Sequence, residues 1–449
     1  MKKYLLILSF FIAVPLFAQE AKRESIALTV YNNNLGVVRD VRLFDLKKGQ
    51  SVVKLLDVPA QIDPTTVKIT AGKHPKDVGI IEQNFEYDLV NQEKLLEKYI
   101  DKQITLTDDK GNKTDGTLLS SSGGQITLSS PSGILMFPNT NQYRISVPNL
   151  PEGLITRPTL IWNVSSSTTL NQEPLEVLYQ TSGISWHAEY IAALADDDKS
   201  LDLTGWVSVD NKCGATFENA KLKLVAGQLN RATPPAQNYN RKALAMYAGG
   251  DVLSPMEERG LFEYHLYDLG RSTTIKNNEV KQLSLLEADA VKAEKHYTYR
   301  GGRNVEVTID FKNSKDNNMG MPLPEGVVRV MKKDKDGSFE FVGEDRIQHT
   351  PRDEKVTVKV GDAFDLLGER SVTDSKGGDH SSRETVQIIL KNRKDEDVTI
   401  DVLENMGYNW EITKSSMDYE KKNTNEIIFH VPVKARSEQK VEYSVLRTW

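Results

Sequence analysis

The fold class is decided by the stretches YQTSGISWHAEY (179–190), LDLTGWVSVDN (201–211) and TFENAKLKLVAG (216–227). Each alternates apolar and polar residues with a period of two, which is the pattern of a strand with one buried face. The first stretch places four residues on its apolar face: Ile184, Trp186, Ala188 and Tyr190. Three such strands in close succession predict antiparallel sheets that pack face to face.

Similar alternation continues through most of the chain. Short strands separated by Asn, Gly and Pro occupy residues 25–85, and an immunoglobulin-like series of strands follows Asn304. Between Leu89 and Asp101 apolar residues recur at helical spacing, and five short strands with tight turns come next. We therefore predict a mainly β protein, with immunoglobulin-like antiparallel β-sandwiches, a small SH3/Sm-like barrel module and few helices.

These changes of pattern also predict a division of the chain. We expect a signal peptide at 1–18, an N-terminal β-sandwich portion at 19–88, the SH3/Sm-like barrel module at 89–150, a central β-sandwich at 151–300 and a C-terminal immunoglobulin-like β-sandwich at 301–449.

Loops and turns are predicted from Gly, Pro, Asn and Asp. Residues 230–262, which contain Pro234 and Pro235, are predicted to be a mobile loop, and TDSKGGDHSSR (373–383) a second one. Lys-Asp-Gly at 335–337 and Lys-Asp-Glu-Asp at 394–397 are typical of hairpin turns.

The N-terminus has the features of a secretory signal. Lys2 and Lys3 precede an apolar stretch, and Ala18 ends a small-residue cleavage site. The apolar stretch is too short to favour a permanent membrane helix. We therefore expect an extracytoplasmic protein, in the periplasm or associated with the outer membrane, without a transmembrane span after cleavage.

Charge and cysteine content narrow the classes of partner. The net charge of −6 is mildly acidic and well mixed along the chain, which argues against nucleic-acid binding. Cys213 is the single cysteine, so an intramolecular disulfide is excluded. A lone thiol could be a nucleophile or an intermolecular link. Its place in a turn between strands favours a small buried hydrophobe.

A family resemblance rests on the stretches quoted first, together with PLPEGVVRV (322–330), GED (343–345), KVGDAFD (359–365) and TVQIILKNRKDEDVTI (385–400), and on the closing YSVLRTW (443–449). In this order they resemble the bacterial family called domain of unknown function 4139, found at the C-terminal end of proteins similar to mucoidy inhibitor A. Those proteins insert a long charged coiled coil, and the present chain has no such heptad run. The resemblance implies no catalytic residue and no cofactor.

The residues that could contact a ligand are Trp206, His187, Glu189 and Tyr247. Trp206 points away from the apolar face of its strand, where its ring could stack on a sugar. Alternatively, the barrel module or the loop 230–262 covers this ring, which is the interpretation that we favour. His187 and Glu189 share the outward face of one strand, and a metal there would need a third ligand such as His265 or Asp210 from a neighbouring strand. We interpret this pair as an exposed polar strand face. Tyr247 ends the segment KALAMY (242–247), which could dock on a partner.

The sequence contains no recognisable catalytic motif, and we predict no catalytic, cofactor or metal site. The leading interpretation is a non-enzymatic extracytoplasmic β-sandwich protein of the bacterial envelope, acting by contact with another envelope component, either a protein or a surface polysaccharide. One alternative is a glycan-binding module. A second alternative is a hydrolase with a site between domains, which requires two carboxylates or His187 with further ligands in one cleft.

Overall fold

The computed structural model describes residues 21–227, 229–230 and 256–449. Strands make up 67% of the described residues and helices 3%, which confirms the predicted mainly β, β-sandwich class. The predicted signal peptide, the segment 242–247 and most of the predicted loop 230–262 lie outside the described residues.

The described strands and the one α-helix among the described residues run in the following order along the chain. The N-terminal part contains β1 (Lys22–Tyr31), β2 (Leu35–Leu46), β3 (Gly49–Leu56), β4 (Ile62–Ala71) and β5 (Val78–Glu86). Then come α1 (Gln92–Lys98), β6 (Gln103–Thr107), β7 (Lys113–Ser122), β8 (Gln125–Ser130), β9 (Gly133–Phe137) and β10 (Arg144–Ser146).

The middle of the chain contains β11 (Thr159–Ser166), β12 (Leu170–Thr181), β13 (Ile184–Leu194), β14 (Ser200–Asn211), β15 (Phe217–Ala226), β16 (Glu257–Leu261), β17 (Tyr264–Ile275) and β18 (Glu279–Tyr299). The C-terminal part contains β19 (Asn304–Lys312), β20 (Gly326–Lys333), β21 (Phe339–Ile347), β22 (Lys355–Gly378), β23 (Ser381–Asn392), β24 (Val398–Asn405), β25 (Trp410–Ser415), β26 (Glu420–Lys421), β27 (Glu426–Val433) and β28 (Glu438–Thr448). Short 3-10 helices lie at Thr140–Gln142 and Lys315–Asn317.

These strands form four sheets. A seven-stranded sheet has the order β16-β17-β15-β1-β2-β12-β4, and a three-stranded sheet has the order β3-β11-β5. The largest sheet runs β21-β20-β13-β14-β18-β19-β22-β23-β28-β25, with β24, β26 and β27 joined to it at β18. The pairs β1–β15 and β13–β20 are parallel, so strands far apart in sequence become neighbours.

Three apolar clusters form the core. The first extends from Ile26 to Val358, so the N-terminal strands share a core with strands β13 to β20. The second contains Tyr297 and the inward residues of β23, β24, β27 and β28. Strand β18 contributes Ala293 to the first cluster and Tyr299 to the second, which makes it a shared element. The predicted divisions at 19–88, 151–300 and 301–449 stay predictions.

The third cluster belongs to a module between β5 and β11. Helix α1 begins after Asn91, whose side chain accepts a hydrogen bond from the backbone of Lys94, and it buries Leu96 against the sheet. The sheet order is β10-β6-β7-β8-β9, so strands β9 and β10 lie at opposite edges. The sheet is therefore not closed by a ladder between its end strands, and the predicted SH3/Sm-like barrel module at 89–150 stays a prediction. Closure needs a ladder between the end strands, and the turn Thr140–Gln142 leads from one edge to the other without pairing them.

The module is an insertion. Strands β5 and β11, on either side of it, pair antiparallel from Glu86 opposite Thr159 onward. A short parallel bridge between Leu89 and Ile155 closes the base of the insertion. The chain thus leaves the three-stranded sheet and returns to it at adjacent points.

Candidate functional site

The site is built on β13, whose alternation separates buried aromatics from outward polar groups. Trp186 and Tyr190 point inward and are almost fully buried. Their polar atoms are satisfied, because the Trp186 indole donates to the carbonyl of Val225 at 3.2 Å and the Tyr190 hydroxyl donates to the carbonyl of Pro324 at 2.8 Å. The first bond ties β13 to β15, and the second ties β13 to the segment before β20.

Close approach of β13 and β20 requires a glycine. A Cβ atom added at Gly326 would lie 2.3 Å from the carbonyl oxygen of Ala188, which is backbone and cannot rotate away. The resulting parallel ladder places Glu189 opposite Val327. On its other side, β13 pairs antiparallel with β14, which places Glu189 opposite Trp206.

The outward face of these strands carries what we call the Glu189 network. The Glu189 carboxylate accepts hydrogen bonds from the Ser208 hydroxyl at 2.9 Å, from the Gln282 amide at 3.3 Å and from the Arg329 guanidinium at 3.4 Å. Arg329 also pairs with Glu344 through its Nε atom at 3.3 Å. Four strands, β13, β14, β18 and β20, therefore contribute to one polar arrangement, which β21 extends.

Trp206 lies beside this network. It occupies the position opposite Glu189 and two residues from Ser208, so its side chain stands on the same outward face. Its indole is partly exposed, whereas Trp162 and Trp186 are buried. The ring thus presents apolar surface next to a carboxylate, an amide and a guanidinium.

His187 joins the network to a cavity of about 210 Å³. The cavity is lined by His187, His349, Arg346, Glu325 and Asn32, among others. The backbone N–H of Glu325 donates to Nδ1 of His349 at 3.1 Å, which leaves Nε2 as the hydrogen-bearing nitrogen of a neutral ring. Burial lowers the pKa of His349 and favours that neutral form. Asn32 contributes a buried carbonyl oxygen without a hydrogen-bond partner among the described residues.

The structure brings together three of the four candidate ligand-contact residues. His187, Glu189 and Trp206 share the outward face of β13 and β14, and Tyr247 lies outside the described residues. The two proposed third metal ligands are engaged elsewhere, His265 with Glu258 and Asp210 with Lys212. Among the described residues, no group of three or more His, Cys, Asp or Glu side chains is placed to hold a metal ion.

Sequence reasoning missed Arg329, Gln282, Ser208 and His349. Arg329 had a detectable signal, because it takes the outward position between the buried Val328 and Val330 in PLPEGVVRV, one of the stretches that carry the family resemblance. The pairing of Arg329 with Glu189 could not be predicted, because nothing in the local sequence indicates that β20 lies parallel to β13. Cys213 is fully buried, and burial raises its pKa to about 11, which agrees with the interpretation as a buried hydrophobe.

A family model for a domain of unknown function (DUF4139) matches residues 175–449. The chain belongs to this family. The DUF4139 region contains Trp206, the whole Glu189 network and every named cavity residue except Asn32. The inserted module and β1 to β11 lie outside the DUF4139 region. A search of curated proteins finds no match. Among the described residues, no helix has both the length and the apolar character needed to cross a membrane.

Proposed function

We propose that the protein is a non-enzymatic, extracytoplasmic component of the bacterial envelope that acts by contact with another envelope component. The signal-like residues 1–18 support the location. The observation that carries the contact function is the partly exposed Trp206 beside the Glu189 network, next to the cavity at His187. An apolar ring with convergent polar groups is the usual composition of a recognition site.

The network is suited to recognition because its groups are held in place before a partner arrives. Three donors fix the Glu189 carboxylate, and Glu189 and Glu344 together hold the guanidinium of Arg329. A guanidinium has five N–H groups, so donors remain for a partner after these contacts are made. Orientation by neighbours reduces the entropy that a partner would otherwise have to offset.

A glycan-binding function is the second candidate, and a specific observation favours it. Sugar rings present apolar C–H faces and hydroxyl groups, which match an indole flanked by planar polar side chains. Trp206, Glu189 and Gln282 supply this combination on adjacent strands. In this version the envelope component is a surface polysaccharide.

The test is crosslinking in cells with matched variants of the tagged protein. We compare the wild type with Trp206→Ala and Arg329→Ala, and use Tyr408→Ala as the control because Tyr408 is an aromatic side chain 81% exposed outside the site. Wild type and control should capture the same component, and the two site variants should lose it while retaining the wild-type unfolding temperature. Capture that is unchanged in both site variants would refute the proposal. Polysaccharide in the adduct would select the glycan-binding version.

A further inference from the structure

Edge strands expose unpaired backbone groups, and proteins protect them with charged residues. Among the sheets of the described residues, every end strand except β9 carries at least one Asp, Glu, Lys or Arg. The charged residues include Lys54 on β3, Asp63 on β4, Glu82 on β5, Arg144 on β10, Glu257 on β16, Glu340 on β21, Glu411 on β25 and Lys421 on β26. Strand β9 has the sequence GILMF and no charge.

The neutral region extends well beyond β9. Residues 116–143 contain no Asp, Glu, Lys, Arg or His, although 27% of the chain is Asp, Glu, Lys or Arg. Within this region two side chains of β9 point into solvent, Ile134 with 69% and Met136 with 75% of their surface exposed. Leu119, in a β7 bulge, is 39% exposed. The edge is thus neutral and apolar, and it carries no charged residue that would protect it.

We propose that β9 pairs antiparallel with β9 of a second copy of this chain and so forms a two-fold symmetric dimer. With the axis at Leu135, Ile134 of each copy stands opposite Met136 of the other, which gives two identical apolar cross-strand pairs. The contact is isologous, because the same surface serves both copies.

The neutral edge lowers the main electrostatic obstacle to a second copy as the occupant. Two copies with a net charge of −6 each repel one another, and they can come into contact most readily through a neutral surface. Residues 116–143 provide such a surface around β9.

The flanking sequence limits the assembly to two copies. Pro131 and Pro138 lack the N–H group that would extend the ladder beyond β9. The opposite edge of each sheet is β10, which has three residues and carries Arg144, so further addition there is disfavoured. A closed dimer follows, not a fibre.

The first test is sedimentation equilibrium of the chain 19–449 over a range of concentrations. We expect a monomer–dimer equilibrium for the wild type. Ile134→Lys combined with Met136→Lys places like charges opposite each other and should raise the dimer dissociation constant by at least about tenfold. The matched control is Ile81→Lys on β5, another edge residue that is 52% exposed, and it should leave the constant unchanged.

The second test identifies the symmetry axis. Leu135→Cys should form a disulfide-linked dimer under mild oxidation, because residues directly opposite in an antiparallel pair have the Cα separation that a disulfide needs. Ile81→Cys should not, and the native thiol of Cys213 is buried. A wild type that stays monomeric at every concentration, or a dimer unaffected by the double Lys variant, would overturn the proposal. Capture of a different protein by β9 in a monomeric chain would do the same.

Discussion

The buried ion pair in the second core cluster offers the sharpest test of the fold. Glu404 on β24 is 4% exposed. It accepts hydrogen bonds from Nε and Nη2 of Arg370 on β22 at 3.1 and 3.0 Å, and from the Tyr443 hydroxyl on β28 at 2.5 Å. The bond to Glu404 raises the pKa of Arg370, and burial raises the pKa of Tyr443. One carboxylate therefore connects three strands.

Replacing Glu404 with Gln should destabilise this core by about 2–4 kcal/mol. Removal of one partner from a fully buried pair costs about 3–5 kcal/mol because the remaining charge has no counter-ion. Here the effect is smaller, since Arg370 keeps 26% of its side chain exposed and borders a cavity of about 420 Å³ that water can enter. Tyr443→Phe removes one hydroxyl bond and should cost about 1 kcal/mol.

The assay is urea unfolding of a double-mutant cycle. Arg370→Met and Glu404→Gln should each destabilise the protein, and the double variant should lose less than the sum of the two. A coupling energy below about 0.5 kcal/mol would refute the reasoning, since independent sites show no more than that. A double Met variant at positions 370 and 404 should fall within about 1 kcal/mol of the wild type, because well-packed apolar side chains can replace a buried ion pair.

Two further predictions concern packing and pH. Gly326→Ala should destabilise the protein by about 1–3 kcal/mol in urea unfolding, because the added Cβ meets the backbone of Ala188, whereas Gly361→Ala, with nothing within 4 Å, should be within about 0.5 kcal/mol of the wild type. The hydrogen bond that the His430 imidazolium donates to the Asp401 carboxylate raises the pKa of His430, so this contribution is fully present below the ordinary histidine pKa of about 6.5 and is lost as the pH rises through the raised value. Unfolding temperatures measured against pH should therefore fall less above that range in His430→Gln than in the wild type, and parallel curves would contradict this.

Local alternation predicted which side chains are buried. Trp186, which the alternation places on the apolar face of its strand, is 3% exposed. The four apolar residues quoted for the first stretch are also buried. Such predictions succeed because a strand's two faces are set by its own geometry, which does not depend on the partner strand.

Local alternation did not predict which strands pair with each other. Two segments with similar turn composition were predicted to be hairpin turns, at 335–337 and at 394–397. The first does join the paired strands β20 and β21, but the second joins β23 to β24, which do not pair with each other. Turn residues specify that the chain bends, and the choice of partner is made by distant core contacts.

The predicted mobile loop at 373–383 shows the opposite error. Gly, Ser and Asp suggested irregular structure, but β22 continues to Gly378 and β23 begins at Ser381. Pairing extends to the turn, with Lys376 opposite Arg383. The low strand propensity of Gly, Ser and Asp did not prevent strand formation here, because β22 and β23 are already paired in register before they reach these residues. The candidate site could be predicted only in part. Glu189 and Trp206 lie on consecutive strands, whereas Arg329 lies on a strand far along the chain whose pairing with β13 local sequence does not indicate.

In the inserted module, the residues that the fold requires are distinct from the apolar residues that it exposes. Its core is complete with Leu118, Ile126 and Leu128 fully buried on one face of the sheet and α1 packed over them. Ile134 and Met136 lie outside that core and add nothing to it, and each exposes most of its surface. Polar residues at these two positions would leave the core unchanged and would protect the edge. The exposed apolar edge is therefore not required by the module's own core, which is why we propose that it serves a contact outside the module.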